Sequence, residues 1–148
     1  MTLYERLESD ARKSLKDGMA ARLLVLRMVI SAAKLVLIEK NIKTIDDDIV
    51  IQILQKQVKQ HRESIEQFEK GARADLVAKE KAELLVLEEY LPKQLSPEEL
   101  IVIVKAVITA TGASTKADTG LVMKAVMEKA KGKADGKAIS ALVQQFLK

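Results

Sequence analysis

The chain has 148 residues, of which 48% are hydrophobic, 31% charged and only 3% aromatic, with a formal net charge of +4. That length holds one average domain or two small ones, and so few rings demand an aliphatic core and rule out rows of base-stacking aromatics. The absence of cysteine excludes disulfides, thiolate chemistry and cysteine-ligated zinc, and His61 alone cannot build a histidine-rich metal site.

Glu5, Glu8 and Asp10 interrupt the N-terminus and argue against a secretory signal or a mitochondrial presequence. The most apolar stretch, residues 23–38, contains Arg27, Ser31 and Lys34 and is a poor membrane span. A soluble, cytosolic protein is the expectation, since nothing points to an oxidising compartment.

Taken in chain order, the periodic runs predict helices and no strands. Thr2 with Glu5 forms a capping box for a first helix over residues 3–17, with Leu3, Leu7, Ala11 and Leu15 as its apolar seam. The second, residues 20–40, is apolar almost all round, with only Arg27, Ser31 and Lys34 tracing a polar line, as expected of a central bundle helix. A third begins at an Asp46 or Asp47 N-cap and runs to Lys70, burying Val50, Leu54, Val58, His61, Ile65 and Phe68. Its outer face offers the i, i+4 pairs Lys59–Glu63, Arg62–Glu66 and Glu66–Lys70. After Gly71, a fourth over residues 74–90 buries Leu76, Ala82, Leu84, Leu87 and Leu91, and Pro92 stops it. Ser96-Pro97-Glu98-Glu99 then opens a helix to Thr111 with an N-cap, a proline at the first helical position and a glutamate at the third. Two more follow over residues 119–131 and 136–147, with Asp135 as the last N-cap. The expected fold is all-α: a four-helix bundle over residues 1–92 and a three-helix tail domain over 96–148.

Charge divides unevenly at that boundary. Residues 1–92 carry 16 Lys/Arg against 16 Asp/Glu, whereas residues 93–148 carry 9 lysines against 5 acids, so the whole excess belongs to the smaller part. Lys129, Lys131, Lys133 and Lys137 gather around the turn before the last helix. Ammonium groups there suit phosphate oxygens without demanding a fixed angle. A solvated lysine turn that serves only solubility has the same composition.

No nucleophile, base and orienting group assemble in the sequence. His61 on an apolar helix face reads as a core histidine, and Glu88 and Glu89 as a solvated helix end. Gly132 and Gly136 lack the strand–loop–helix setting of a phosphate-cradling loop.

Several motifs together give the chain a family resemblance. Leu26-Arg27-Met28, the run from Lys59 through Gln60, His61 and Arg62 to Ile65, and Gly71-Ala72-Arg73-Ala74-Asp75-Leu76 come first. The stretch from Leu87 through Glu88, Glu89, Tyr90, Leu91 and Pro92 to Ser96 follows, and then Lys131-Gly132-Lys133-Ala134-Asp135-Gly136-Lys137. In this order they resemble the YqeY family (the GatB/YqeY group) over nearly the whole chain. The resemblance implies kinship with the C-terminal, tRNA-holding region of the B subunit of Asp/Glu-tRNA amidotransferases, without that enzyme's catalytic domain. The first expectation is therefore a stand-alone tRNA-binding module of that type with no chemistry or cofactor of its own, and composition and hydropathy leave no metal site and no membrane partner in view. Lys131, Lys133 and Lys137, supported by Lys129 and Lys124, are the RNA-binding candidates, and Lys59, Gln60 and Arg62 form a second, weaker surface. The competing expectations are an accessory of aminoacyl-tRNA amidation (a carbon–nitrogen ligase using glutamine as amido donor) and a protein-interaction adaptor. Amidotransferase or aminoacyl-tRNA synthetase proteins are the expected protein partners.

Overall fold

In the computed structural model, which describes Met1–Lys148, every regular element is a helix. These are α1 (Leu3–Lys16), α2 (Ala20–Glu39), α3 (Asp47–Lys70), α4 (Ala74–Glu88), α5 (Pro97–Thr111), α6 (Thr119–Lys129) and α7 (Gly136–Phe146), with a single 3₁₀ turn at Lys116–Asp118. They gather into two compact units, Met1–Leu91 and Pro92–Lys148.

In the first unit, the Thr2 hydroxyl accepts from the Glu5 amide at 3.1 Å, and the Glu5 carboxylate accepts from the Thr2 amide at 2.9 Å. This reciprocal cap satisfies two donors that the first turn of α1 leaves open. Asp46 caps α3 through the Ile49 amide, and Asp47 reaches across to accept from the Leu3 amide at 2.8 Å, fastening the starts of α1 and α3 together. The turn from α3 to α4 closes through Ala72, which takes the left-handed conformation (φ 55°), whereas Gly71 stays at φ −85°.

The core of this unit joins Leu7 and Ala11 of α1, Leu23, Val25, Leu26 and Val29 of α2, Val50, Leu54 and Val58 of α3, and Leu87 with Tyr90 at the end of α4. Fully burying each such Val or Leu contributes roughly 1.5–3 kcal/mol.

Three expectations need correction here. The seam of α1 continues through Ser14, 3% exposed, and not through Leu15, 59% exposed. Steps of four residues turn 400° on a helix of 3.6 residues per turn, so a strict i+4 row drifts off the core, and the step from Ala11 to Ser14 corrects it. Ala82 on α4 is exposed. Helix α2 is not wrapped on all sides either: Leu24, Met28, Leu35 and Ile38 face solvent beside Arg27, Ser31 and Lys34.

In the second unit, Ser96 and Glu99 form another reciprocal cap, at 3.2 Å in each direction, with Pro97 at the first position of α5. Gly112 ends α5 in the left-handed conformation at φ 69°. Asp118 accepts from the amides of Ser114 (3.1 Å) and Thr115 (3.3 Å) and so folds the loop that leads into α6. The Lys116 amide donates to the Lys148 carbonyl at 3.1 Å and the Lys148 amide donates to the Ser114 carbonyl at 3.3 Å, which pins Lys148 to that loop. Leu100, Val104 and Val107 of α5 meet Val122, Val126 and Ala130 around α6, and Ile139, Val143 and Leu147 around α7, to form the core. Helix α6 ends two residues before the expected point, because the chain turns at Ala130 with Gly132 in the left-handed conformation (φ 73°). No single helix is long and apolar enough to cross a membrane.

Candidate nucleic-acid interface

The lysine turn between α6 and α7 is built from its backbone outward. The Lys133 amide donates to the Ala130 carbonyl at 2.8 Å, and Asp135 accepts from the Lys137 amide at 3.3 Å as the N-cap of α7. The outer carbonyls of the turn are also used. Gln94 Nε2 donates to the Gly132 carbonyl at 2.8 Å and to the Pro92 carbonyl at 2.9 Å, and the Leu95 amide donates to the Lys133 carbonyl at 2.8 Å. The segment after Pro92 is thus stitched to the turn.

On this framework the side chains of Lys129, Lys131, Lys133 and Lys137 are all exposed. The stitching brings exposed Lys93 to the same turn, a residue that sequence reasoning missed. The signal was present in Pro92-Lys93-Gln94-Leu95, where a glutamine able to bond two carbonyls stands beside a lysine. Lys93, Lys129, Lys133 and Lys137 make no ion pair, a state they share with first-unit cations such as Arg27, Lys34 and Lys59. Three of the five acids in the second unit, Glu99, Asp118 and Asp135, are spent on backbone amides. These bonds hold the Asp118 carboxyl below its ordinary range.

Lys124 stands apart from the turn. It lies on the outward line of α6 with Leu121 and Glu128, away from the packed Val122 and Val126, and Glu128 is its i+4 neighbour. The second candidate surface is more dilute still. Lys59 and Gln60 are exposed, but Arg62 pairs with Glu88 of α4 at 3.3 Å instead of with Glu66, which pairs with Lys70 at 3.3 Å. The Lys59–Glu63 pair is likewise not among the ion pairs formed. Gln60 borders a shallow depression shared with Glu63 and Glu66, whose carboxylates repel phosphate.

His61 is a part-buried histidine bonded to nearby polar groups, as expected, but its partners include two carboxylates from the facing helix. Its Nε2 lies 2.9 Å from Glu83 and 3.5 Å from Glu80, both on α4, and its Nδ1 lies 2.8 Å from the Gln57 carbonyl. A carbonyl only accepts, so Nδ1 carries a proton and Nε2 faces the two acids. The imidazole bridges α3 to α4, and the three ligand atoms, within 4.8 Å of one another, are the one group here able to hold a metal ion. An overlooked i, i+3 pair on the facing helix, Glu80 and Glu83, was the sequence signal.

Glu88 and Glu89 also prove to be partnered. Glu89 pairs with Arg22 at 2.9 Å, and Arg22 Nη2 donates to the Tyr90 hydroxyl at 2.9 Å, which donates in turn to Asp10 at 2.6 Å. Arg6 lies over the Tyr90 ring, 4.7 Å from its centre. The Glu-Glu-Tyr motif therefore ties the end of α4 to α1 and α2. Burial and the bond to Asp10 push the Tyr90 hydroxyl well above the ordinary tyrosine value, outweighing Arg22 and Arg6.

These features define an all-helical protein of two units whose surplus positive charge sits in the smaller one. The chain belongs to the YqeY family: a family model described as Yqey-like protein matches residues 4–147. Among curated proteins, an uncharacterized protein of Schizosaccharomyces pombe is 34% identical over 96 residues, covering 61% of this chain and 76% of the relative. Altered inheritance of mitochondria protein 41 of Kluyveromyces lactis is 32% identical over 84 residues, and its namesake in Pyrenophora tritici-repentis 34% over 86. Each of those two matches takes in 57% of this chain, which spans 45% and 46% of the respective relatives.

Proposed function

We propose that the protein is a non-catalytic RNA-binding module that holds the phosphate exterior of a folded tRNA on the lysine turn of its second unit. One observation carries this reading: Lys93, Lys129, Lys133 and Lys137, exposed and outside any ion pair, share with Lys131 a turn fixed by backbone bonds. Such contacts position a polyanion by shape and charge and read no bases. The likeness of the family to the tRNA-holding tail of amidotransferase B subunits supports tRNA over other polyanions. Amidotransferase and aminoacyl-tRNA synthetase proteins are the proposed neighbours in the cell. The relatives named as mitochondrial make the organelle the alternative to the cytosol, and subcellular fractionation separates the two.

Filter binding to folded tRNA across a salt series tests the reading. With three to five phosphate contacts, log affinity falls against log salt with a slope of roughly −2 to −4. Changing Lys131, Lys133 and Lys137 together to Ala flattens the slope and weakens binding while leaving far-UV circular dichroism unchanged. A salt-independent affinity, no binding at low salt, or full affinity in the triple variant refutes the proposal.

A further inference from the structure

Helix α2 packs against α1, α3 and α4, yet one side of it is open. Leu24, Met28, Leu35 and Ile38 are 47–73% exposed, and Ser31 between them is exposed as well. Their spacing alternates steps of four and three residues, the pattern of a coiled-coil seam. On an α-helix these five positions stay within a sector of about 80° over about 21 Å of length. The four apolar side chains offer on the order of 400 Å² of surface, the size of the largest patch on a typical monomer, which is often functional.

The borders of the seam are asymmetric. Exposed Arg27 and Lys34, seven residues apart, line one edge, and neither makes an ion pair. The helix carries a single carboxylate, Glu39 at its last residue, on the other edge. A free-standing surface helix would carry acids four residues from such cations, and here those positions are apolar or Ser31.

We infer that this face docks an amphipathic helix of a partner protein whose own apolar seam is bordered by carboxylates facing Arg27 and Lys34. A second copy of this chain fits less well. Antiparallel pairing about Ser31 sets Arg27 against the Lys34 of the copy. Parallel pairing stacks Ser31 on Ser31 at the centre and leaves Arg27 opposite Ala32, with only Glu39 to answer Lys34. Like charges at flanking positions select against a pairing, and opposite charges set partner choice. The inference concerns the first unit and stands independently of RNA binding by the second.

Two synthetic helical peptides of roughly 20 residues, long enough to hold a helix, test it on the full chain. Both carry leucine at the four–three spacing; one has Glu and the other Lys at the flanking positions. The Glu-edged peptide binds about tenfold more tightly and shifts amide resonances along Leu24–Ile38. Leu35→Asp abolishes this binding, and the pair Arg27→Glu with Lys34→Glu reverses the preference. Should Leu35→Asp lose helicity by circular dichroism, Met28→Lys serves in its place. No binding, equal affinity for both peptides, or binding that survives the seam substitution overturns the inference. Two other results overturn it by naming another occupant: a dimer in sedimentation velocity that the substitution dissolves, or seam-dependent partition onto phosphatidylserine-containing vesicles.

Discussion

Replacing Tyr90 with phenylalanine removes one oxygen and the two hydrogen bonds that join α4 to α1 and α2. The ring is 3% exposed, so its packing is preserved and the loss is confined to the hydroxyl. A hydrogen bond to a charged group contributes about 1.5–3 kcal/mol. Both charged partners keep a second contact, Asp10 with Arg6 at 3.8 Å and Arg22 with Glu89 at 2.9 Å. Their side chains are partly exposed, so water recovers some of each bond. A net destabilisation of about 2 kcal/mol follows, equivalent to a fall of about 10 °C in the melting temperature of a unit this size. Tyr4 and Tyr90 both lie in Met1–Leu91 and there is no tryptophan, so tyrosine fluorescence during urea unfolding reports on that unit alone. Tyr4 remains as the probe in the variant. A loss below about 0.5 kcal/mol, within the range of ordinary surface substitutions, refutes the role given to the hydroxyl.

Gly112→Ala forces a side chain into the left-handed conformation at φ 69° with no atom within 4 Å to clash, so a purely conformational loss of about 1 kcal/mol is expected from chemical denaturation. Ser96→Ala removes half of the cap on α5 and lowers the stability of the second unit by about 1 kcal/mol, measured the same way. Burial first, and then the hydrogen bond to and charge of Glu8, push the Tyr4 hydroxyl up to about 12. The folded chain therefore keeps this proton when the unfolded chain gives it up near its ordinary value of 10, and stability falls as pH rises from there to about 12. Tyr4→Phe reduces that alkaline loss in urea titrations at successive pH values, and an unchanged pH profile contradicts the assignment.

The helical class and most helix starts were legible because caps are local chemistry. Thr2 with Glu5, Asp46 and Ser96 with Glu99 each announce a helix through neighbours three residues away. What lay out of reach was anything set by elements meeting in space. Nothing near His61 in the chain reveals Glu80 and Glu83, which arrive from α4. The nearly uniform apolarity of α2 reads as complete burial, yet the unit has only enough helices to cover part of its circumference. The lysine turn was visible in the sequence, but its coupling to Lys93 depends on a glutamine reaching 38 residues ahead.

That coupling bears on how a long polyanion would be received. The peptide carbonyls of Gly132 and Lys133 are anchored by Gln94 and Leu95, so the backbone of the turn is held in place before any encounter. Above that base, the side chains of Lys93, Lys129, Lys133 and Lys137 are exposed and make no ion pair. Such a foothold sacrifices little backbone freedom on contact and still adjusts to phosphates at varied spacings, a combination suited to gripping many RNAs of one general shape instead of a single sequence.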